Sequence, residues 1–89
     1  MKVLVIEDEI KTARLIKSFV EADDAFTVTA IVPSIKGGVE WLAANTADLI
    51  FSDIQLADGL SFEIFRQVKV QVPVIFCTAF DEYAINAFE

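Results

Sequence analysis

Three short apolar runs, Val3-Leu4-Val5-Ile6, Leu49-Ile50-Phe51 and Val74-Ile75-Phe76-Cys77, are rich in β-branched and aromatic residues and carry no polar break. Runs of this length and kind predict strands buried on both faces. A weaker run from Phe26 to Val32 ends at Pro33 and predicts a further strand. The stretches between them have helical spacing. Ile10, Ala13, Ile16, Phe19 and Val20 form one stripe, and Ile35, Val39, Leu42 and Ala43 a second. Leu60, Ile64, Phe65 and Val68 form a third, and Ala84, Ala87 and Phe88 a fourth. The chain therefore reads β-α-β-α-β-α-β-α. That alternation predicts an α/β domain: a parallel, doubly wound sheet with right-handed crossovers and helices on both faces.

Local punctuation agrees with these boundaries. Ser34 and Asp81 are suited to cap helices, Asp58-Gly59 is a turn signal ahead of a helix, and Pro73 precedes a strand where its missing N–H costs least. No linker, repeat or low-complexity tract divides the chain, so residues 1–89 are expected to form one unit. The last apolar stripe runs to Phe88-Glu89 without a capping Gly or Asn, and a four-stranded sheet would leave an apolar edge, so a C-terminally truncated domain is expected.

Composition narrows the function. Fourteen acidic residues against seven basic ones, with no His, give a formal net charge of −7. Phosphate-backbone binding needs clustered Lys and Arg, and here they are scattered, so this segment is not expected to contact nucleic acid. Hydrophobic residues make up 55% of the chain, too many for a disordered acidic tail. The lone Cys77 excludes an internal disulfide or a Cys-rich zinc site and fits a core position in a reducing compartment. Glu7, Asp8 and Glu9 interrupt the only apolar stretch near the N-terminus, and no run reaches membrane-spanning length. A soluble, cytoplasmic protein without a membrane partner is expected.

In an open parallel sheet, ligands bind beyond the carboxyl ends of the strands. Glu7, Asp8 and Glu9 follow the first strand, Asp53 and then Asp58 the third, and Thr78, Asp81 and Glu82 the fourth. Seven of the fourteen acidic residues thus fall on one rim, with no Lys or Arg in the same stretches. Converging carboxylates repel unless they take up protons or a cation. Oxygen ligands without His or Cys select Mg²⁺, Mn²⁺ or Ca²⁺, and Mg²⁺ suits a site offering only two or three protein ligands. A carboxylate beside such an ion can attack phosphorus to give an acyl phosphate. Asp81 reads better as a helix cap than as a ligand, and Trp41 and the Phe residues as core or partner surface.

Val5-Ile6-Glu7-Asp8-Glu9, Asp48-Leu49-Ile50-Phe51-Ser52-Asp53-Ile54, Asp58-Gly59 and Pro73-Val74-Ile75-Phe76-Cys77-Thr78-Ala79 together resemble the receiver domain of two-component response regulators. The tail from Thr78 to Glu89 is similar to the subgroup whose receivers precede a LytTR-type DNA-binding domain. The resemblance covers all 89 residues. It implies a flavodoxin-like sheet of order 2-1-3-4 with the fifth βα unit missing. It makes Asp53 the phosphoacceptor and Thr78 a phosphoryl-binding switch. Asp8 and Asp53, with the backbone carbonyl of Gln55, would hold Mg²⁺, and Glu7 would act through water. Glu7 stands where Asp is commoner. The family's fifth strand, with its phosphoryl-pairing Lys, has no counterpart among these residues, and neither Lys36 nor Lys69 lies on the rim to replace it.

The resemblance also implies a sensor histidine kinase as phosphodonor, altered dimerisation as output and a DNA-binding domain downstream in the parent protein. With mean hydropathy +0.54 and no fifth βα unit, a homo-oligomer is expected, formed by dimerisation or by swapping elements. The protein is expected to accept a phosphoryl group without being a turnover enzyme. Two other readings stand beside this one. An aspartyl-phosphate phosphohydrolase would want a second carboxylate two residues after the nucleophile, where Gln55 stands. A phosphate-independent interaction fragment would associate through the open sheet edge.

Overall fold

The structure is a computed structural model that describes residues 1–77. Thr78, the Asp81 cap, Glu82 and the fourth helical stripe lie outside the described residues. In order, the chain forms β1 (Lys2–Ile6), α1 (Ile10–Glu21), β2 (Thr27–Val32), α2 (Ile35–Ala44), β3 (Leu49–Asp53), β4 (Gln55–Leu56), β5 (Gly59–Leu60), α3 (Phe62–Gln67) and β6 (Val74–Cys77). The main sheet has the order β2-β1-β3-β6, all neighbours parallel. With β6 as the fourth main strand, this is the 2-1-3-4 order expected.

Strand β1 runs through the middle of the sheet, and Val3, Leu4, Val5 and Ile6 are all 0% exposed. Alternating side chains divide between two cores. Val3 and Val5 pack with Val20 of α1, flanked by Ile16, Phe26, Leu49 and Phe51. Leu4 and Ile6 pack with Ile35 of α2, Leu56 and Ile64 of α3 on the opposite face. Two cores on a parallel sheet explain why these strands read as continuous apolar runs. The start of the sheet is locked by Asp48, whose carboxylate accepts the Lys2 N–H at 2.7 Å while its own N–H donates to the Lys2 carbonyl at 2.8 Å. At the far side, Phe76 of β6 meets Phe62 and Phe65 of α3 edge-on, at centroid distances of 4.8 and 6.1 Å.

Several local expectations hold. Ser34 caps α2, its hydroxyl accepting the Gly37 N–H at 2.9 Å. Gly59 directly follows the turn as the first residue of β5 and has φ +135°, a backbone conformation L side chains rarely adopt. Others are corrected. Leu60 does not begin the third helix: it pairs with Gln55 in the small antiparallel hairpin β4–β5 and is 53% exposed. Two-residue strands are too short to leave a periodic signature. On α1, Phe19 is 84% exposed and Ile10 also faces outward, so the buried stripe narrows to Ala13, Ile16 and Val20. Among the described residues no helix is long and apolar enough to cross a membrane.

Candidate functional site: a carboxylate cluster at the strand ends

The site begins where β1 and β3, adjacent in the sheet, reach their carboxyl ends. Glu7 follows Ile6, and its N–H donates to the Val32 carbonyl at 3.0 Å, which fixes it beside the end of β2. Its side chain folds back so that Oε2 accepts the Glu9 N–H at 3.2 Å. Asp53 is the last residue of β3, and its Oδ1 accepts the Ile54 N–H at 2.8 Å. Carboxylate oxygens of Glu7, Asp8 and Asp53 all lie within 4.8 Å of one another. Glu7 is buried, Asp53 half-buried and Asp8 exposed, so the cluster is open to solvent on one side.

That proximity perturbs the acids. Burial pushes the Glu7 carboxyl up to about 7, with hydrogen bonds to Asp8 and Asp53 and the Asp53 charge adding to it and the Glu9 N–H opposing. Asp53 is also raised, first by desolvation and then by the charge of Asp8. The N–H groups of Ile54 and Gln55 and a hydrogen bond with Glu7 act the other way. Ionising Glu7 and Asp53 together is therefore costly when no cation is near.

Of the rim residues read from the sequence, Glu7, Asp8 and Asp53 come together. Glu9 is exposed and contributes its backbone N–H. Asp58 belongs elsewhere: its carboxylate accepts the Ile35 N–H at 3.0 and 3.1 Å and the Lys36 N–H at 3.4 Å, at the start of α2. These main-chain donors hold it below the usual carboxylate range. Gln55 sits in β4, two residues past Asp53, and its main-chain amide lowers the proton affinity of the Asp53 carboxylate. Thr78, the expected switch, lies outside the described residues.

The sequence gives no sign of what Ser61 does. A Ser ahead of a helix reads as a cap, yet here it makes no capping bond. It is fully buried, and both its N–H and its hydroxyl donate to the Ile54 carbonyl, at 2.8 and 3.2 Å. Ser52, also buried, donates its hydroxyl to the Asp53 carbonyl at 2.9 Å.

This sheet, with acids at the ends of its first and third strands, can be set against known proteins. A family model described as the response regulator receiver domain matches residues 3–89. The chain belongs to that family. The receiver is 34% identical over 92 aligned positions to the sensory transduction protein LytT of Bacillus anthracis. The match covers the whole chain but 37% of that protein's length. LytR of Staphylococcus epidermidis is 32% identical, with 36% of its length covered. Among solved structures, the Erythrobacter litoralis PhyR receiver is 30% identical with a TM-score of 0.74, over 99% of this chain and 70% of that one. The response regulator MaeR bound to beryllium trifluoride is 25% identical with a TM-score of 0.81, covering 99% of this chain and 75% of that one. These matches bear out the flavodoxin-like receiver fold and a phosphoacceptor signalling role, and they favour neither the phosphohydrolase nor the interaction-fragment reading.

Proposed function

We propose that Asp53 of this receiver is the phosphoacceptor, taking a phosphoryl group from a sensor histidine kinase while the acidic cluster holds Mg²⁺. The observation that carries this reading is the convergence of Glu7, Asp8 and Asp53 within 4.8 Å. The donor set suits a small hard cation: it is all oxygen, with no His in the chain. A buried Glu7 that binds a proton near neutrality is a group whose cost of ionisation a cation would remove.

Asp8 and Asp53 would hold the ion directly together with the backbone carbonyl of Gln55, and Glu7 through water. Bound there, Mg²⁺ neutralises charge on the acids and on the incoming phosphoryl oxygens. The rest falls to the chain. The Ile54 N–H holds Asp53 Oδ1 at 2.8 Å, so the side chain is oriented before the donor arrives. An Asp53 oxygen attacks phosphorus as the P–N bond of the donor phosphohistidine breaks, and that electron pair returns to the imidazole nitrogen. Thr78 would then bond a phosphoryl oxygen and bias a switch. Residues 1–89 would form the receiver unit, a cytoplasmic acceptor and not a turnover enzyme. Its output would be altered homo-oligomerisation, and a DNA-binding domain would follow in the parent protein.

The test is titration with Mg²⁺ and beryllofluoride, followed by fluorine NMR. The wild-type chain should give a Mg²⁺-dependent adduct that Asp53→Asn abolishes. An adduct surviving in Asp53→Asn, or Mg²⁺ affinity equal in the two proteins, would refute the assignment.

A further inference from the structure

Asp53 Oδ1 is held by the main-chain N–H of Ile54 at 2.8 Å, and the Gln55 amide one peptide further on also favours its ionised form. Each N–H shares a rigid peptide plane with the carbonyl of the residue before it. Fixing the Asp53 carbonyl therefore aims the Ile54 N–H, and fixing the Ile54 carbonyl aims the Gln55 N–H. Both carbonyls are taken by buried serines: Ser52 Oγ donates to Asp53 O at 2.9 Å, and Ser61 Oγ donates to Ile54 O at 3.2 Å. Ser52 and Ser61 are 1% and 0% exposed, so neither hydroxyl has bulk water as a substitute partner. Ser61 also stands just ahead of α3, where its hydroxyl could have capped the helix, and it turns to the loop instead.

From this we infer that Ser52 and Ser61 are paired positioning residues, whose hydroxyls set the two peptide planes that orient the Asp53 carboxylate toward metal and phosphoryl donor. The inference rests on the metal and phosphoacceptor roles given to Asp53 above. Neither serine touches the reacting atoms, and each acts through a main-chain amide. Removing a hydroxyl leaves the fold's own bond from the Ser61 N–H to Ile54 O intact at 2.8 Å, while the plane gains freedom to rock. Groups that orient a metal ligand in this way typically change metal affinity by about tenfold or more when lost.

The test measures Mg²⁺ affinity together with amide hydrogen exchange in the metal-free protein. Ser52→Ala and Ser61→Ala should each weaken Mg²⁺ binding about tenfold and speed exchange at Ile54 and Gln55. Ser61→Thr, which keeps a hydroxyl, should recover most of the affinity. Val20→Ala, in the other core, should lower thermal stability without moving Mg²⁺ affinity, which separates positioning from general loosening. If an alanine variant does not fold, the size-matched Ser→Cys variant, a weak donor, should show the same loss of affinity. Mg²⁺ affinity within twofold of wild type in the folded serine variants, with Asp53→Asn losing it, would overturn this inference alone. A wild-type chain that does not bind Mg²⁺ would overturn the metal reading, and the brace itself would then be overturned by unchanged exchange at Ile54 and Gln55.

Discussion

Glu7 and Asp53, at the ends of adjacent parallel strands, bring carboxylate oxygens within 4.8 Å of each other, and both carboxyls bind protons more tightly than usual. A pair of this kind is a fold liability and a functional asset at once. Without a cation, the second negative charge is resisted by burial and by its neighbours. With one, the same convergence becomes a binding site.

Replacing Asp53 by Asn should therefore stabilise the metal-free protein, by about 1 kcal/mol, while destroying phosphoacceptor chemistry. Loss of the Asp53 charge should also move the Glu7 carboxyl back toward its ordinary range. Urea unfolding and carboxyl-carbon NMR titration of the variant, both without divalent ions, would measure the two effects.

The pH dependence of stability follows with a definite sign. Glu7 rises from an ordinary 4.5 to about 7 on folding, so between those values the folded state binds more protons than the unfolded one. The contribution of Glu7 to stability is thus full below about pH 4.5 and declines as pH rises toward 7. We expect the metal-free protein to lose about 1–2 kcal/mol from this group across that window. Glu7→Gln should flatten the slope, and added Mg²⁺ should restore the stability lost by pH 7 and above. Unfolding midpoints at pH 5, 6, 7 and 8 would check both.

The parts of this fold that were legible in the sequence are those where one physical demand dominates. Val3 to Ile6 and Leu49 to Phe51 must be apolar throughout because two cores press on them, and Glu7, Asp8 and Asp53 stand out as acids directly after such runs. What escaped reading depends on partners distant in the chain. Asp58 has the composition of a rim acid, but the amides it satisfies belong to Ile35 and Lys36. Ser61 has the position of a cap, and its hydroxyl goes to Ile54. Phe19 obeys helical spacing and still faces outward, because α1 buries a narrower stripe than its apolar residues could fill.

Asp58 ties the turn after β4 to the first turn of α2, and it does so as a carboxylate. Asp58→Ala should lower the thermal midpoint by about 5 °C at pH 7, as loss of a helix-capping acceptor does. Because its proton affinity is depressed on folding, this contribution is present above its ordinary value of 3.8 and fades as pH falls below it. The midpoints of wild type and variant should therefore converge toward pH 3, which calorimetry at the two pH values would show.

Gly38 of α2 packs against Ile64 of α3. A Cβ built there would lie 2.7 Å from Cδ1 of Ile64, itself fully buried. Two effects oppose each other in Gly38→Ala. Helix propensity favours Ala by about 1 kcal/mol, whereas overpacking a filled core costs about 1–3 kcal/mol. Cδ1 is the far end of the Ile64 side chain, but Ile64 is 0% exposed and its rotation is resisted by the surrounding core, so the steric cost should win, with a net loss of about 1 kcal/mol. Ile64→Val removes the clashing carbon itself. The double variant should then be more stable than the two single changes predict, by a coupling of about 1 kcal/mol, measurable by urea unfolding of all four proteins. Additivity within error would mean that α2 can shift away from α3 without cost, and that Gly38 is not what sets their spacing.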